Sequence, residues 1–423
     1  MRVLLADNYN SFNAGDAAIL EGMLSALGAE IPGASFVVTS SYPAVAEEVH
    51  GLAAAEWTPR LLAGHRPIAG WLVRSLAWTT AARWGVDAPG LLRPKERVLM
   101  AAYRDADLVL GVGGAYLRSG YRLSWLRLWQ MYLAKALGKP VMLYAQSIGP
   151  LEGRLARWAR FVFDRLDLIT LRDEESRQVL DGLGLRRVPY EVTADAALGL
   201  APPRLGDAKA PPAPDAGSPG PLIGVSVLHW HKFATGSFEA YRDALAAALD
   251  TLVMEMGARV RFLSTTVAPP GQDMDVSGTA RDDIAAAQDV RGAMVHRGAA
   301  TISDEALGVE ALRGRIASHD LWIGTRMHSC IFATTAGVPA VGIGYEAKVR
   351  GYFGLLGLED FVLDIETLQA EDIVALARRA LAEAAAYRSR LEAALPDLAA
   401  RAHRNARLAA DLAAATPPRG RRP

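Results

Sequence analysis

Cysteine is almost missing from this chain: Cys330 stands alone, so neither an intramolecular disulfide nor a Cys-x-x-Cys zinc site can form. Surplus charge is missing too. Lysine plus arginine total 46 and aspartate plus glutamate total 46, which argues against a nucleic-acid binder, because phosphate contacts need a cationic excess. No apolar run reaches the roughly 18 residues that a spanning helix requires. The opening Met1-Arg2-Val3-Leu4-Leu5-Ala6 is too short for the apolar core of an export signal and turns polar at once. The expected location is therefore cytoplasmic, with peripheral contact at the inner membrane face as the alternative. What is present suits a large soluble enzyme: 423 residues, 51% hydrophobic and 22% charged, allow two or three domains at roughly 100–200 residues each. The oligomeric state stays open.

Short apolar runs alternate with helix-like segments. Arg2–Ala6, Phe36–Thr39, Asp107–Leu110, Val141–Tyr144 and Leu168–Leu171 read as strands, and Ala17–Leu27 as a helix. Strands alternating with helices imply a parallel sheet covered on both faces. The pattern stops at Ala201–Pro221, which is rich in Pro, Ala and Gly and reads as a linker. It resumes with strand Leu222–Val227, helix Phe238–Met256 and strands Val260–Ser264, Leu321–Gly324 and Ala340–Ile343. The expectation is an α/β chain of two doubly wound halves. An N-terminal domain spans 1–200, a linker 201–221, a second domain 222–370, and C-terminal helices with a frayed tail 371–423.

One stretch breaks the charge balance. Between Arg60 and Lys135 twelve basic residues face four acids, and Trp57, Trp71, Trp78, Trp84, Trp125 and Trp129 lie in or beside it. Its tryptophan-rich part, about 57–104, reads as a helical insertion. Two readings compete: buried aromatics under a solvated basic face, or a surface that rests on an anionic bilayer or a lipid-linked substrate.

In open parallel sheets, ligands bind beyond the carboxyl ends of the strands. The polar residues expected there are Asn13-Ala14-Gly15-Asp16, the glycine turn Gly111-Val112-Gly113-Gly114, Ala145-Gln146-Ser147, Arg172-Asp173, Thr325-Arg326-Met327-His328 and Tyr345-Glu346-Ala347-Lys348. Each has a plain structural alternative. The glycine turn lacks the spacing of a dinucleotide fingerprint and suits a tight turn equally well. Asp16 suits an N-cap, and Arg172 suits a surface pair with Asp173 or Glu175. His328 alone suits a satisfied histidine at a helix start. Asp273-Met274-Asp275 imitates a metal-binding pair but has no histidine nearby, so no metal is expected. The combination is more specific. Arg172, His328 and Lys348 leave three separate strands, and together they suit a small ligand carrying phosphate and carboxylate.

In these blocks, in their order and in their spacing, the chain resembles the polysaccharide pyruvyl transferase family. The strongest blocks are Gly324-Thr325-Arg326-Met327-His328, Ala336-Gly337-Val338-Pro339 and Tyr345-Glu346-Ala347-Lys348. Tyr144-Ala145-Gln146-Ser147-Ile148-Gly149-Pro150, Arg172-Asp173-Glu174-Glu175-Ser176 and Val192-Thr193-Ala194-Asp195 are similar in kind. The resemblance implies two Rossmann-like halves facing across a cleft, as in GT-B glycosyltransferases. It also implies transfer of the pyruvyl group of phosphoenolpyruvate to sugar hydroxyls, with no cofactor beyond that co-substrate. It associates Arg172, His328 and Lys348 with phosphoenolpyruvate and Asp16 with the acceptor; Arg326 is expected to support them. Within that scheme His328 is the expected acid and Asp16 the group that positions or deprotonates the acceptor hydroxyl. Gly113, Gly114, Gln146 and His229 are the expected contacts of a sugar acceptor, either free or lipid-linked. Three departures stand out. Ala17 follows Asp16 where a glutamate is frequent, Leu228 stands where an arginine is common, and the glycine turn carries Val112. Either His229, His231 or Lys232 then takes the arginine's place, or the acceptor lacks the usual diphosphate. The rival expectations are a nucleotide-sugar glycosyltransferase and an inactive glycan-binding relative.

Overall fold

The computed structural model describes residues 1–8, 10–57, 68–201, 220–230, 233–267 and 283–415. Most of the expected linker, the Asp273-Met274-Asp275 segment, His231, Lys232 and the tail Pro417–Pro423 lie outside the described residues. The chain divides into two compact units. One comprises Met1–Ser11, Asp16–Leu200 and Leu398–Pro423, the other Phe12–Gly15 and Ala201–Asp397.

The first unit holds an eight-stranded parallel sheet. Its strands are β1 (Arg2–Asn8), β2 (Ser35–Ser40), β3 (Ala53–Glu56), β4 (Leu108–Gly111), β5 (Gly114–Leu117), β6 (Val141–Ile148), β7 (Leu168–Leu171) and β8 (Tyr190–Val192). Their order is β3-β2-β1-β4-β6-β7-β8, with β5 paired to β6. Because side chains alternate along a strand, β1 feeds both faces. Leu4 and Ala6 enter one core cluster, while Val3 and Leu5 enter the other, all fully buried. Each buried leucine or valine contributes about 1.5–3 kcal/mol, which explains why such strands read as continuous apolar runs.

The second unit holds β9 (Leu222–Ser226), β10 (Arg259–Leu263), β11 (Ala300–Ser303), β12 (Leu321–Gly324), β13 (Ala340–Gly344) and β14 (Val362–Asp364). They are ordered β11-β10-β9-β12-β13-β14 and paired in parallel. Both sheets therefore run outward from their first strand in the two directions of a Rossmann fold, and the order reverses beside β1 in one and β9 in the other. The fold class is that of two Rossmann-like doubly wound halves, as expected.

Local chemistry sets the helix ends. Helix Phe238–Met256 starts where the Ser237 side chain accepts from Ala240 N–H and stops at Gly257, whose φ of 61° is left-handed. Helix Ala14–Glu30 begins earlier than the apolar period suggested, so Asp16 lies inside its first turn rather than at its cap. There its charge still favours the positive helix end. The expected C-terminal helices appear as Ala370–Ala382 and the 32-residue Ala384–Ala415. The tryptophans of the basic stretch differ in exposure. Trp57, Trp71 and Trp78 are buried, whereas Trp84 is 79% and Trp125 43% exposed. Among the described residues no helix is long and apolar enough to cross a membrane.

Candidate functional site

In the first unit, the carboxyl ends of β1, β4, β6 and β7 carry the polar residues. Near its end β1 carries Asp7, buried with φ 71°, and β6 contains Ala145 at φ 48°. Both interrupt the regular register of their strands. Left-handed non-glycine residues cost energy, and they gather where a strand must turn a group out of its sheet. Burial pushes the Asp7 carboxyl up to about 6, against the pull of Arg127 and a hydrogen bond from Trp57.

Asp16 is half-buried and accepts a short hydrogen bond from the Tyr116 hydroxyl. Burial first, and then the Asp16 charge, hold Tyr116 well above its ordinary range, so the phenol keeps its proton and donates. The glycine turn makes that contact feasible. Gly114 has φ 151°, and a Cβ there would lie 2.0 Å from the Tyr116 ring. Gly113 is pressed by the Tyr144 and Ala145 carbonyls, each 3.1 Å from a Cβ placed on it. Gln146 is buried and donates its amide to the carbonyls of Gly111 (3.2 Å) and Val112 (2.5 Å). It therefore holds the glycine turn.

Arg172 is buried rather than at the surface, and its partner is neither Asp173 nor Glu175. It pairs with Asp195 at 2.5 Å and donates from Nε to Ser147 Oγ at 2.7 Å. Burial opposes its charge, but Asp195 and Asp173 outweigh that and hold the guanidinium pKa above its ordinary value. Asp173 itself caps helix Glu174–Leu183.

In the second unit, adjacent carboxyl ends carry the remaining residues. Arg326, two residues beyond β12, occupies the N-cap position of helix Met327–Thr335, which places His328 in that helix's first turn. Arg326 is held by Asp283, whose Oδ1 accepts from its Nε at 3.1 Å and from Nη2 at 2.5 Å. The other oxygen of Asp283 accepts from Thr265 N–H, Thr265 Oγ1 and Thr266 N–H at 3.0–3.1 Å. The chain after β10, thus fixed, receives the Asn13 segment: Thr265 O accepts from Ala14 N–H at 2.8 Å, and Asn13 bridges Thr266. Gly15 then lies against His328, for a Cβ there would be 2.3 Å from Nδ1. Asp283 is the residue that sequence reasoning missed. It follows a Pro/Gly-rich stretch and bears no motif.

At the end of β13, Lys348 pairs with Glu346 at 2.6 Å and sits 4.9 Å from the Tyr345 ring centre. Burial works against its charge, while Tyr345 and Glu346 more than offset that and raise its pKa. Tyr345 meets Trp230, whose ring is 4.6 Å away, so the chains leaving β9 and β13 are in contact. His229 stacks on Phe238 at 4.1 Å. Leu228 is buried, 5% exposed. Thus His328 and Lys348 stand in the first turns of the helices that follow the neighbouring strands β12 and β13.

A family model for polysaccharide pyruvyl transferase matches residues 13–347. An amylovoran biosynthesis protein of Erwinia amylovora, AmsJ, is 24% identical over 419 residues, covering 89% of this chain and 91% of its own. Among solved structures, a putative UDP-N-acetylglucosamine 2-epimerase from Listeria monocytogenes has a TM-score of 0.59 at 11% identity, covering 95% of this chain and 94% of its own. A sucrose-phosphate synthase from Thermosynechococcus elongatus reaches the same TM-score at 10% identity, covering 98% and 100%. At such identities these two are similar in fold alone.

Proposed function

The chain belongs to the polysaccharide pyruvyl transferase family, and from that premise we propose that it moves the pyruvyl group of phosphoenolpyruvate onto two sugar hydroxyls, making a pyruvate ketal in polysaccharide biosynthesis. The observation that carries this reading is the pairing of a potential proton donor with a cation on neighbouring strand ends, His328 after β12 and Lys348 after β13. The amylovoran relative supports the polysaccharide setting.

The reaction begins with a proton moving to C3 of phosphoenolpyruvate, which turns the methylene into a methyl and leaves C2 electron-poor. One hydroxyl oxygen bonds to C2 and gives up its proton. The C2–O bond to phosphate then breaks, phosphate leaves with the electron pair, and the second hydroxyl oxygen bonds to C2 and closes the ketal as its proton passes to the departing phosphate. His328 supplies the first proton as the general acid. The family resemblance associates Lys348 and Arg172 with phosphoenolpyruvate, and a cation beside the phosphate stabilises the departing charge. Asp16 receives the hydroxyl proton or orients that hydroxyl, steadied by Tyr116. Arg326 acts as a positioning residue through Asp283. The scheme calls for no metal or organic cofactor.

The test is phosphate release from phosphoenolpyruvate with free, nucleotide-linked and lipid-linked sugars as acceptors. The expected result is release that depends on one acceptor class, with thermal stabilisation by phosphoenolpyruvate. Stabilisation by UDP alone, with no phosphate released from any acceptor, would overturn the proposal in favour of a nucleotide-sugar glycosyltransferase.

A further inference from the structure

The first unit carries a basic and aromatic surface that the proposed chemistry does not use. Helices Leu123–Ala136 and Gly153–Phe163 pack side by side and present a ladder of rings. Trp129 lies 6.1 Å from Trp158, and Trp158 lies 5.3 Å from Phe161, both pairs stacked. Trp125, one turn before Trp129, is 43% exposed and Phe161 is 39% exposed. The ladder runs into a groove lined by Arg157, Arg160, Arg165, Arg186 and Arg187 around Phe161. A single acid, Asp164, shares that lining. Its Oδ1 accepts the backbone N–H groups of Arg186 and Arg187 at 2.8 and 3.1 Å. Arg165 lies over the Phe161 ring at 3.4 Å. Beside the ladder, helix Ile68–Arg83 is joined to it by a Trp129 Nε1 to Ser75 Oγ hydrogen bond of 3.1 Å. That helix leaves Val73 67% and Leu76 38% exposed, and Trp84 just beyond it is 79% exposed.

Five guanidiniums against one carboxylate fit anionic phosphate. Arginines alone would fit a soluble anion equally well, but a soluble anion leaves the neighbouring exposed rings without a purpose. Tryptophan and phenylalanine beside arginine suit the headgroup boundary of a bilayer, where the ring bodies enter the apolar layer and the guanidiniums meet phosphates. We propose that this surface, built from the Arg157–Arg187 groove and the Trp125–Phe161 ladder, docks the protein on a membrane rich in anionic phospholipid. The inference stands apart from the pyruvyl-transfer reading, since none of these residues belongs to that site.

Co-sedimentation of the full chain with phosphatidylcholine vesicles, with and without phosphatidylglycerol, tests it. The expected result is binding that requires phosphatidylglycerol and weakens as salt screens the charges. Arg157→Glu with Arg186→Glu should weaken binding at least ~10-fold, on the scale of surface charges near an anionic leaflet. Trp125→Ser with Phe161→Ser should weaken it while leaving the charges in place. Both variants should keep the wild-type circular dichroism and phosphate release toward a water-soluble acceptor. Arg157→Gln with Arg186→Gln repeats the charge test should the glutamate pair misfold. Failure of the wild type to bind phosphatidylglycerol vesicles, undiminished binding by the folded variants, or capture of inorganic diphosphate without vesicle binding would each overturn the proposal.

Discussion

Gly15 has no room for a side chain, and the obstacle is the His328 ring, with Nδ1 2.3 Å from where a Cβ would stand. Gly15→Ala should cost little stability, since alanine is the better helix former by about 1 kcal/mol. It must instead turn the imidazole aside. A misplacement of that size costs on the order of 100-fold in rate, so phosphate release should fall while the melting temperature holds. Unchanged turnover would show that the ring position does not matter. His328→Ala should lower turnover by at least roughly 100-fold, the usual scale for a lost general acid; near-normal turnover removes His328 from that role. Lys348→Ala should raise the KM for phosphoenolpyruvate more than that for the acceptor, and steady-state kinetics with each substrate varied decides this. These residues were legible in the sequence because each follows an apolar run at a strand exit. The partners that occupy Arg326 and Arg172 were not. Asp283 lies 43 positions from Arg326 and Asp195 lies 23 from Arg172, separations that no local pattern joins.

At the scale of elements, the strands that could be read from sequence are the central ones, because burial on both faces makes them continuous apolar runs. β3 reads Ala-Ala-Ala-Glu and β8 reads Tyr-Glu-Val; these sheet-edge strands have too few apolar residues to stand out. Strand ends are equally hard to read, and the end of β1 has an energetic consequence. The Asp7 carboxyl, raised from 3.8 to about 6 mainly by burial, favours the protonated form in the folded state. Its contribution to stability is therefore complete below about pH 4 and is lost as pH rises through 6. Asp7→Asn removes that titration. The variant should gain on the wild type between pH 4 and 7 by up to about 3 kcal/mol. Melting curves across that range check it; a constant difference would mean that Asp7 does not titrate there. His319 works in the other direction. Burial lowers it from 6.5 to about 4, so its contribution is complete above pH 6.5 and is lost as pH falls through 4.

For the whole molecule, a division into an N-terminal and a C-terminal half is too simple, because the chain completes its first unit with its last helix. Residues 384–397 of helix Ala384–Ala415 group with the second unit, where the Tyr387 hydroxyl donates to Ala340 O at 2.8 Å. Residues from Leu398 onward group with the first. Ala406 and Ala409 are fully buried in the cluster that holds Val3 and Leu5. Asn405 is buried, accepting from Thr193 Oγ1 at 2.7 Å and donating to Ala194 O at 3.2 Å. Arg401 donates to Thr193 O, and Arg404 pairs with Glu191. Deleting this helix would take the Asn405 donor away from Ala194 O and uncover core alanines. An unsatisfied buried polar group costs about 1–3 kcal/mol, and a domain is stable by only about 5–15 kcal/mol. A fragment of residues 1–200 should therefore melt broadly and at a lower temperature than the first unit of the full chain. Adding a peptide of residues 398–415 should restore a cooperative transition whose midpoint rises with peptide concentration. The helical spacing of the tail was visible in the sequence, but its destination was not, because alanines that pack tightly and alanines that face water look the same. A fragment 1–200 that melts as sharply alone as with the peptide would mean that the helix decorates the first unit without completing it.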